Sequence, residues 1–250
     1  MLLAIAHSPG TPEALAGAAR VTSLAAADLT RRLTGILPRV LLPALPSEQA
    51  EQMGEALEGL GFVALTCDAG AAPTDQDRVV ARGLELRDQT AVFTDGQGRA
   101  HPCPAQALAL IQRGTRVSVV AETVRTAERR FDLGKAVLTG GLAMTSTKRN
   151  AEQRHREQRE AMLLLQRNDG EPDIALYERR FDYRFLGDAK GPASFGNLES
   201  TLNRLRALAP GATLDDRALR PGFVTGLPLT SVDPLDLAYF LVSLARTRGC

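Results

Sequence analysis

The segment 46–67, PSEQAEQMGEALEGLGFVALTC, decides the fold of the first part of the chain. Ser47 is placed to cap a helix, and Gly61 to end it. Between them, apolar residues keep the three- and four-residue spacing of one helix face: Ala50, Met53, Ala56, Leu57 and Leu60. The apolar run 62–67 then has the length and composition of a buried strand. The segment therefore predicts a core-facing helix followed directly by a strand.

The residues before this segment extend the same unit. The run 2–6 is apolar and of strand length, and Thr11 followed by Pro12 is typical of a helix start. The stretch 25–33 predicts a second short helix, and 39–42 a short strand. The predicted element order is βααβαβ.

In order and spacing, residues 1–68 resemble the C-terminal domain of the bacterial ribosomal stalk protein, and they are similar to the related fold of the Clp-protease adaptor. The runs that carry the resemblance are SLAAADL at 23–29, LPRVLL at 37–42, PSEQAE at 46–51 and LGFVAL at 60–65. The resemblance implies a small αβ sandwich that acts as a non-enzymatic docking module. The lysine-rich docking face of the stalk domain is not reproduced, because this stretch carries Arg31, Arg32 and Arg39 and no lysine.

Residues 69–78 are rich in small residues, glycine and proline, and predict a linker. After it, the runs 84–86 and 91–93 predict a hairpin, and so do 162–165 and 174–177. The pattern over 79–210 is therefore mainly that of antiparallel strands.

An amphipathic helix closes this second part, with Ser194 as the expected cap and Pro210 beyond its end. Its expected apolar face is Phe195, Leu198, Leu202, Leu205 and Leu208. Several strands followed by one such helix are similar in architecture to a bacterial pleckstrin-homology-like domain. This similarity implies a β barrel or sheet over 79–210 that the helix caps. The expected fold class is thus α+β.

The tail, residues 211–250, predicts one more helix, which begins with Asp233 as cap and Pro234 as its first residue. Its apolar residues are Leu237, Phe240, Leu241 and Leu244. This face either packs on the core or pairs between subunits of a homo-oligomer.

A basic insertion, residues 125–160, contains nine basic and five acidic side chains. The predicted partner-binding residues are Arg125, Arg129, Arg130, Lys135, Leu138, Leu142, Lys148 and Arg149. On one interpretation they engage an anionic surface or a partner groove. On the other, 149–160 is a solvated helical or disordered face of mixed charge, and 136–144 packs on the barrel. Nucleic acid is not favoured as a partner, because Phe131 is the insertion's only aromatic residue.

No motif for chemistry stands out. His101 and Cys103 are the one pair at metal-ligand spacing, and there is no second pair. The segment 140–148 departs from the phosphate-loop pattern, and no Gly-x-Ser-x-Gly motif is present. The acids Asp182, Asp215, Asp216, Asp233 and Asp236 fit turns and helix starts. We therefore expect no catalytic residue, no cofactor, no metal and no enzymatic activity.

Composition bounds the remaining possibilities. The 250 residues carry 30 basic and 29 acidic side chains, which gives a net charge of +1 and no global field for a polyanion. The cysteines, Cys67, Cys103 and Cys250, are odd in number and predict free thiols in a cytoplasmic protein; no signal peptide is expected. The arginine bias is typical of a GC-rich bacterial genome. The prediction is an adaptor or scaffold that binds another protein, with anionic lipid binding as the alternative and a hydrolase or nucleotide enzyme with a dispersed site as a third.

Overall fold

The computed structural model describes residues 1–131, 145–220, 222–224, 227 and 232–249, without the side chains of 118–131 and 145–157. Two compact units are present. The first unit contains Met1–Arg116 and Glu160–Cys250, and the second unit is Val117–Arg159.

The helices and strands are as follows. The α-helices are α1 (Pro12–Thr22), α2 (Ala26–Leu33), α3 (Ser47–Glu58), α4 (Ser194–Leu208) and α5 (Pro234–Thr247). The strands within the first unit are β1 (Leu2–His7), β2 (Arg39–Leu42), β3 (Val63–Cys67), β4 (Val79–Arg87), β5 (Thr90–Asp95), β6 (Ala100–Pro104), β9 (Ile174–Tyr177) and β10 (Thr213–Asp215). Two long strands belong to both units: β7 (Leu108–Phe131) and β8 (Thr145–Arg167). The mixed α+β class is confirmed, as is the order βααβαβ.

A three-stranded antiparallel sheet with the order β2-β1-β3 lies between two helical layers. Leu3 and Ile5 of β1 pack with α1, α2 and α3 in one core cluster. Leu2 and Ala4 belong to a second cluster, which α5 covers. Because successive side chains of a strand point to opposite faces, β1 supplies apolar residues to both cores.

Helix α5 thus packs on the core, the first of the two alternatives drawn for it. Its N-terminus is capped as predicted, since Asp233 Oδ1 accepts from the backbone N–H of Leu235 at 2.8 Å. The buried apolar residues of α5 are Leu235, Leu237, Ala238, Tyr239, Leu241, Val242 and Ala245. Association between subunits through this helix stays a prediction.

The second sheet has seven strands in the order β10-β7-β8-β9-β4-β5-β6. The pairs β10/β7 and β4/β9 are parallel, and the two expected hairpins, β4/β5 and β8/β9, are antiparallel. The order has two ends, so of the expected barrel or sheet the described residues form an open sheet.

Helix α4 packs on this sheet with Leu198, Leu202 and Leu205 buried. Two details differ from expectation. Phe195 is 55% exposed and is not part of this core, whose aromatic residues include Phe93, Phe181 and Tyr183. Ser194 is the first helical residue instead of the cap.

The insertion differs most from the sequence prediction. The helical or disordered face expected for 149–160 is wrong, because these residues lie in β8. The Val- and Thr-rich stretch 117–126 forms part of β7, which lies next to β8 in the sheet. Strand pairing has therefore overridden the weak local preference of a charged sequence. The domain boundary at 69–78 stays a prediction, although Ala72 and Arg78 within it are buried.

Candidate functional site

The predicted partner-binding residues fall in the second unit. Arg125, Arg129 and Arg130 lie in β7, and Lys148 and Arg149 lie in β8. The sheet order makes the two strands neighbours, so the structure brings both groups into one two-stranded element. The other predicted residues lie outside the described residues: Lys135, Leu138 and Leu142.

Charge is divided unequally between the two units. Residues 117–159 carry nine basic and five acidic side chains, a formal charge of +4. The remaining residues carry 21 basic and 24 acidic side chains, a formal charge of −3. A chain of almost zero net charge is therefore built from one basic and one acidic unit. Opposite fields of this kind steer association between surfaces.

Strands β7 and β8 are much longer than the strands that flank them in the sheet order. Strand β10 has three residues and pairs with β7 only at 110–112. Strand β9 has four residues and pairs with β8 at 162–165. Within the described part of the second unit, the outer edges of β7 and β8 thus have no pairing strand from the chain. Exposed strand edges present unpaired N–H and C=O groups that can bind another strand.

A buried ionic cluster lies in the first unit, at the point where β7 continues into the second. Asp236, near the start of α5, is 3% exposed and bridges two arginines. Its Oδ1 accepts from Arg78 Nη1 at 2.7 Å, and its Oδ2 accepts from Arg116 Nη2 at 2.5 Å. Arg78 also donates to the Pro73 carbonyl. The first unit ends at Arg116, so this cluster fixes β7 at that end.

Two further carboxylates and a tyrosine belong to the cluster, and the more distant carboxylate, Asp233, has its Oδ2 3.6 Å from Arg116 Nε. Arg116 Nη1 lies 3.0 Å from Asp75 Oδ2 and also donates to the hydroxyl of Tyr177. That hydroxyl donates to Asp75, with O–O distances of 2.7 and 2.8 Å to the two carboxylate oxygens. The guanidinium of Arg180 covers the Tyr177 ring at 4.5 Å. The cluster joins the 73–78 segment, β7, β9 and α5.

Burial governs protonation in this cluster. Desolvation raises the pKa of Asp236, and the guanidinium groups of Arg78 and Arg116 oppose that shift. Burial, together with the hydrogen bond to Asp75, raises the pKa of Tyr177, so its proton stays on the oxygen and is donated. The cluster therefore contains paired charges and a neutral phenol. It is suited to holding backbone segments in place.

Gly114 permits the approach of α5 to β7. A Cβ atom at this position would overlap the Tyr239 hydroxyl and lie 2.7 Å from Leu235 Cδ1. Gln112, two residues earlier in the strand, donates from Nε2 to the Tyr239 carbonyl at 3.2 Å. Alternate residues of β7 thus meet α5: an amide, a glycine and the Arg116 guanidinium.

The sequence reasoning assigned Asp236 only to the helix start and missed this cluster. The available signal is weak: one carboxylate within the apolar run PLDLAYFLVSLA. Its partners cannot be located from spacing, because Arg78 and Arg116 lie 158 and 120 residues away in the sequence.

The His101–Cys103 pair has local roles. Asp95 accepts from the backbone N–H groups of Gln97 and Arg99 at 2.8 and 3.0 Å, and its Oδ2 lies 3.0 Å from His101 Nε2. These bonds close the β5–β6 turn. Cys103 is buried in the core beside it. Across the described residues, no three histidine, cysteine or acidic side chains are grouped to hold a metal ion.

Comparison with known proteins neither supports nor contradicts these assignments. No protein-family model, curated protein or solved structure matches it. The stalk-domain and pleckstrin-homology-like resemblances therefore stay predictions. In the described part of the chain, no helix combines the length and apolar character needed to cross a membrane.

Proposed function

We propose that the protein is a non-enzymatic adaptor or scaffold that binds another protein through its second unit, Val117–Arg159. The observation that carries the proposal is that these residues form a compact unit of two strands with a formal charge of +4. A two-stranded sheet is at best marginally stable alone. Contact with a partner supplies the packing that it needs.

The partner's chemistry follows from the same unit. Unpaired strand edges favour recognition by strand addition, in which main-chain hydrogen bonds supply affinity. Basic side chains favour an acidic surface, because arginine makes strong charge-assisted bonds to carboxylates. The expected partner is therefore a protein with an acidic surface beside an accessible strand.

The first unit serves as the mount in this proposal. The cluster of Arg78, Arg116, Asp75, Tyr177 and Asp236 anchors β7 where the second unit begins.

The test compares the full chain with two variants. In the first, residues 118–158 are replaced by Asn-Gly, a hairpin turn that joins β7 to β8. In the second, Arg129→Glu and Arg130→Glu reverse two adjacent charges. Each protein is used to capture partners from lysate, and a captured protein is then purified for titration calorimetry. We expect both variants to lose at least tenfold in affinity.

Arg129→Lys with Arg130→Lys is the matched control, since it keeps the charges and should retain binding within about threefold. Far-ultraviolet circular dichroism and the unfolding midpoint check that each variant folds. A purified partner that binds the shortened chain as tightly as the full chain would remove the basis of the proposal.

The alternative function is peripheral binding to anionic lipid, which the +4 charge of the second unit also favours. Co-sedimentation with phosphatidylcholine vesicles containing 30% phosphatidylglycerol tests it. Binding through this unit should fall steeply between 50 and 300 mM NaCl and be absent with pure phosphatidylcholine. If no protein sediments with the anionic vesicles at 50 mM NaCl, this alternative is rejected.

A further inference from the structure

The first unit offers a surface of opposite charge to the second. Helix α3 carries four glutamates and no basic residue: Glu48, Glu51, Glu55 and Glu58. All four are exposed. Arg248 Nη1 lies 2.7 Å from Glu58 Oε1, so the guanidinium of Arg248 already forms an ion pair with one end of this face.

A strand edge lies beside these carboxylates. Strand β3 is the end strand of the order β2-β1-β3, and among the described residues it pairs with β1 alone. A groove of about 240 Å³ lies where α3 packs beside β3, and its lining includes Glu51, Glu55, Glu58, Ala64, Thr66 and Arg248. Gly54 also lines it and allows α3 to pack closely on β3, because a Cβ atom there would lie 3.1 Å from Thr66 Cγ2. The groove therefore carries acidic side chains beside an end strand of the sheet.

We propose that the second unit of one copy docks in the α3–β3 groove of another copy, so that the chain associates with itself. Its unpaired edges and +4 charge match the strand edge and the carboxylates of the groove, in a first unit of charge −3. The inference rests on the proposed function, because it takes the second unit as the docking element. It commits to a second copy as the occupant.

We expect the smallest assembly that uses both surfaces of each copy, a reciprocal dimer. Each copy has one basic second unit and one acidic groove, so reciprocal docking satisfies both and leaves no open end. The association should respond strongly to salt, because the glutamates of the groove are exposed.

The first measurement is sedimentation velocity of the full chain from 1 to 100 µM in 50 mM and 500 mM NaCl. We expect a monomer–dimer equilibrium whose dissociation constant rises at least tenfold at the higher salt. A chain that stays monomeric at 100 µM in 50 mM NaCl overturns the inference.

Charge reversal locates the contact. Glu51→Lys with Glu55→Lys should weaken the dimer at least tenfold. The matched control, Glu171→Lys with Asp188→Lys, makes the same change of charge at other exposed positions and should weaken it less than threefold. Equal weakening by the two variants would show that only net charge matters, and would refute the α3–β3 assignment.

The decisive experiment mixes the two charge-reversed variants. The groove variant Glu51→Lys/Glu55→Lys and the strand variant Arg129→Glu/Arg130→Glu should each be monomeric alone. Combined in equal amounts, they should form a heterodimer, because reversed charges meet in one of the two contacts. Absence of a heterodimer overturns the inference. The adaptor proposal would still stand after that result if Arg129→Glu/Arg130→Glu weakened binding to a different purified protein.

Discussion

Replacing Asp236 by Asn should destabilise the first unit by about 3 kcal/mol. The substitution keeps the side-chain size but removes the most buried carboxylate of the cluster, which lies 2.7 Å from Arg78 and 2.5 Å from Arg116. Breaking a buried ion pair costs about 3–5 kcal/mol, since the remaining charge stays desolvated without its partner.

The lower end of that range applies because both arginines keep other acceptors. Arg116 retains Asp75 at 3.0 Å together with Tyr177, and Arg78 retains the Pro73 carbonyl. A loss of about 3 kcal/mol lowers the thermal midpoint by on the order of 10 °C in a chain of this size.

Urea unfolding followed by circular dichroism at 222 nm measures the change, with the slope compared between variants to confirm that the same transition is observed. Glu85→Gln is the control: it removes a partner of Arg87 at 2.7 Å, but both side chains are exposed, so the midpoint should not move. A loss below about 1 kcal/mol for Asp236→Asn would place the cluster among ordinary surface pairs and refute its anchoring role.

A double-mutant cycle separates the pair from its surroundings. Arg78→Gln alone leaves Asp236 with Arg116, and combining it with Asp236→Asn removes the same bond only once. We expect a coupling free energy of about 2 kcal/mol, within the range for contacting residues. Additive losses would mean that the two side chains contribute independently.

Three further outcomes follow from the structure. Gly114→Ala should lower the free energy of unfolding, measured with urea, by about 1–3 kcal/mol, because the added methyl group overpacks against Tyr239. Adding Tyr239→Phe should recover part of this loss, because the hydroxyl is the overlapping group. Equal losses with and without Tyr239→Phe would contradict this explanation. Burial raises the pKa of Cys67 to about 11 and also raises that of Cys103, so iodoacetamide at pH 8 should label neither of these two thiols until the chain unfolds, as followed by mass spectrometry of the peptides that contain them; rapid labelling of either peptide in the native chain would contradict it. Hydrogen bonds from His101 and the Arg99 amide lower the pKa of Asp95. The contribution of ionised Asp95 to folding stability is therefore complete above about pH 4 and is lost at lower pH. The stability difference between the wild type and Asp95→Asn should then narrow from pH 6 to pH 3, and a constant difference would contradict the assignment.

The elements that the sequence predicted correctly carry local signals. Thr11–Pro12 and Asp233–Pro234 specify two helix starts, and both caps are observed. The apolar spacing of α3 and the turn at Gly170 act over a few residues in the same way. Each signal is contained within one element or one hairpin, so it can be interpreted without knowing the tertiary fold.

What the sequence did not predict depends on contacts between distant segments. The strand conformation of 149–160 depends on pairing with β7, and its own composition, rich in Arg, Glu and Gln, is poor in strand-forming residues. The burial of Asp236 depends on two arginines more than a hundred residues earlier. Such contacts leave no regular spacing in the sequence.

Arginine has two distinct roles in this chain, and the effects of the two groups of arginines should differ in their dependence on salt. Arg78 and Arg116 are paired in a buried cluster, where mobile ions cannot enter and screening is weak. The basic residues of the second unit are proposed to act across an interface, where about 0.5 M salt shortens the Debye length to a few ångströms. Raising NaCl to 500 mM should therefore leave the effect of Asp236→Asn on stability unchanged while it weakens docking through the second unit at least tenfold. If both effects fell together with salt, the cluster would be accessible to ions and could not serve as a rigid base for β7.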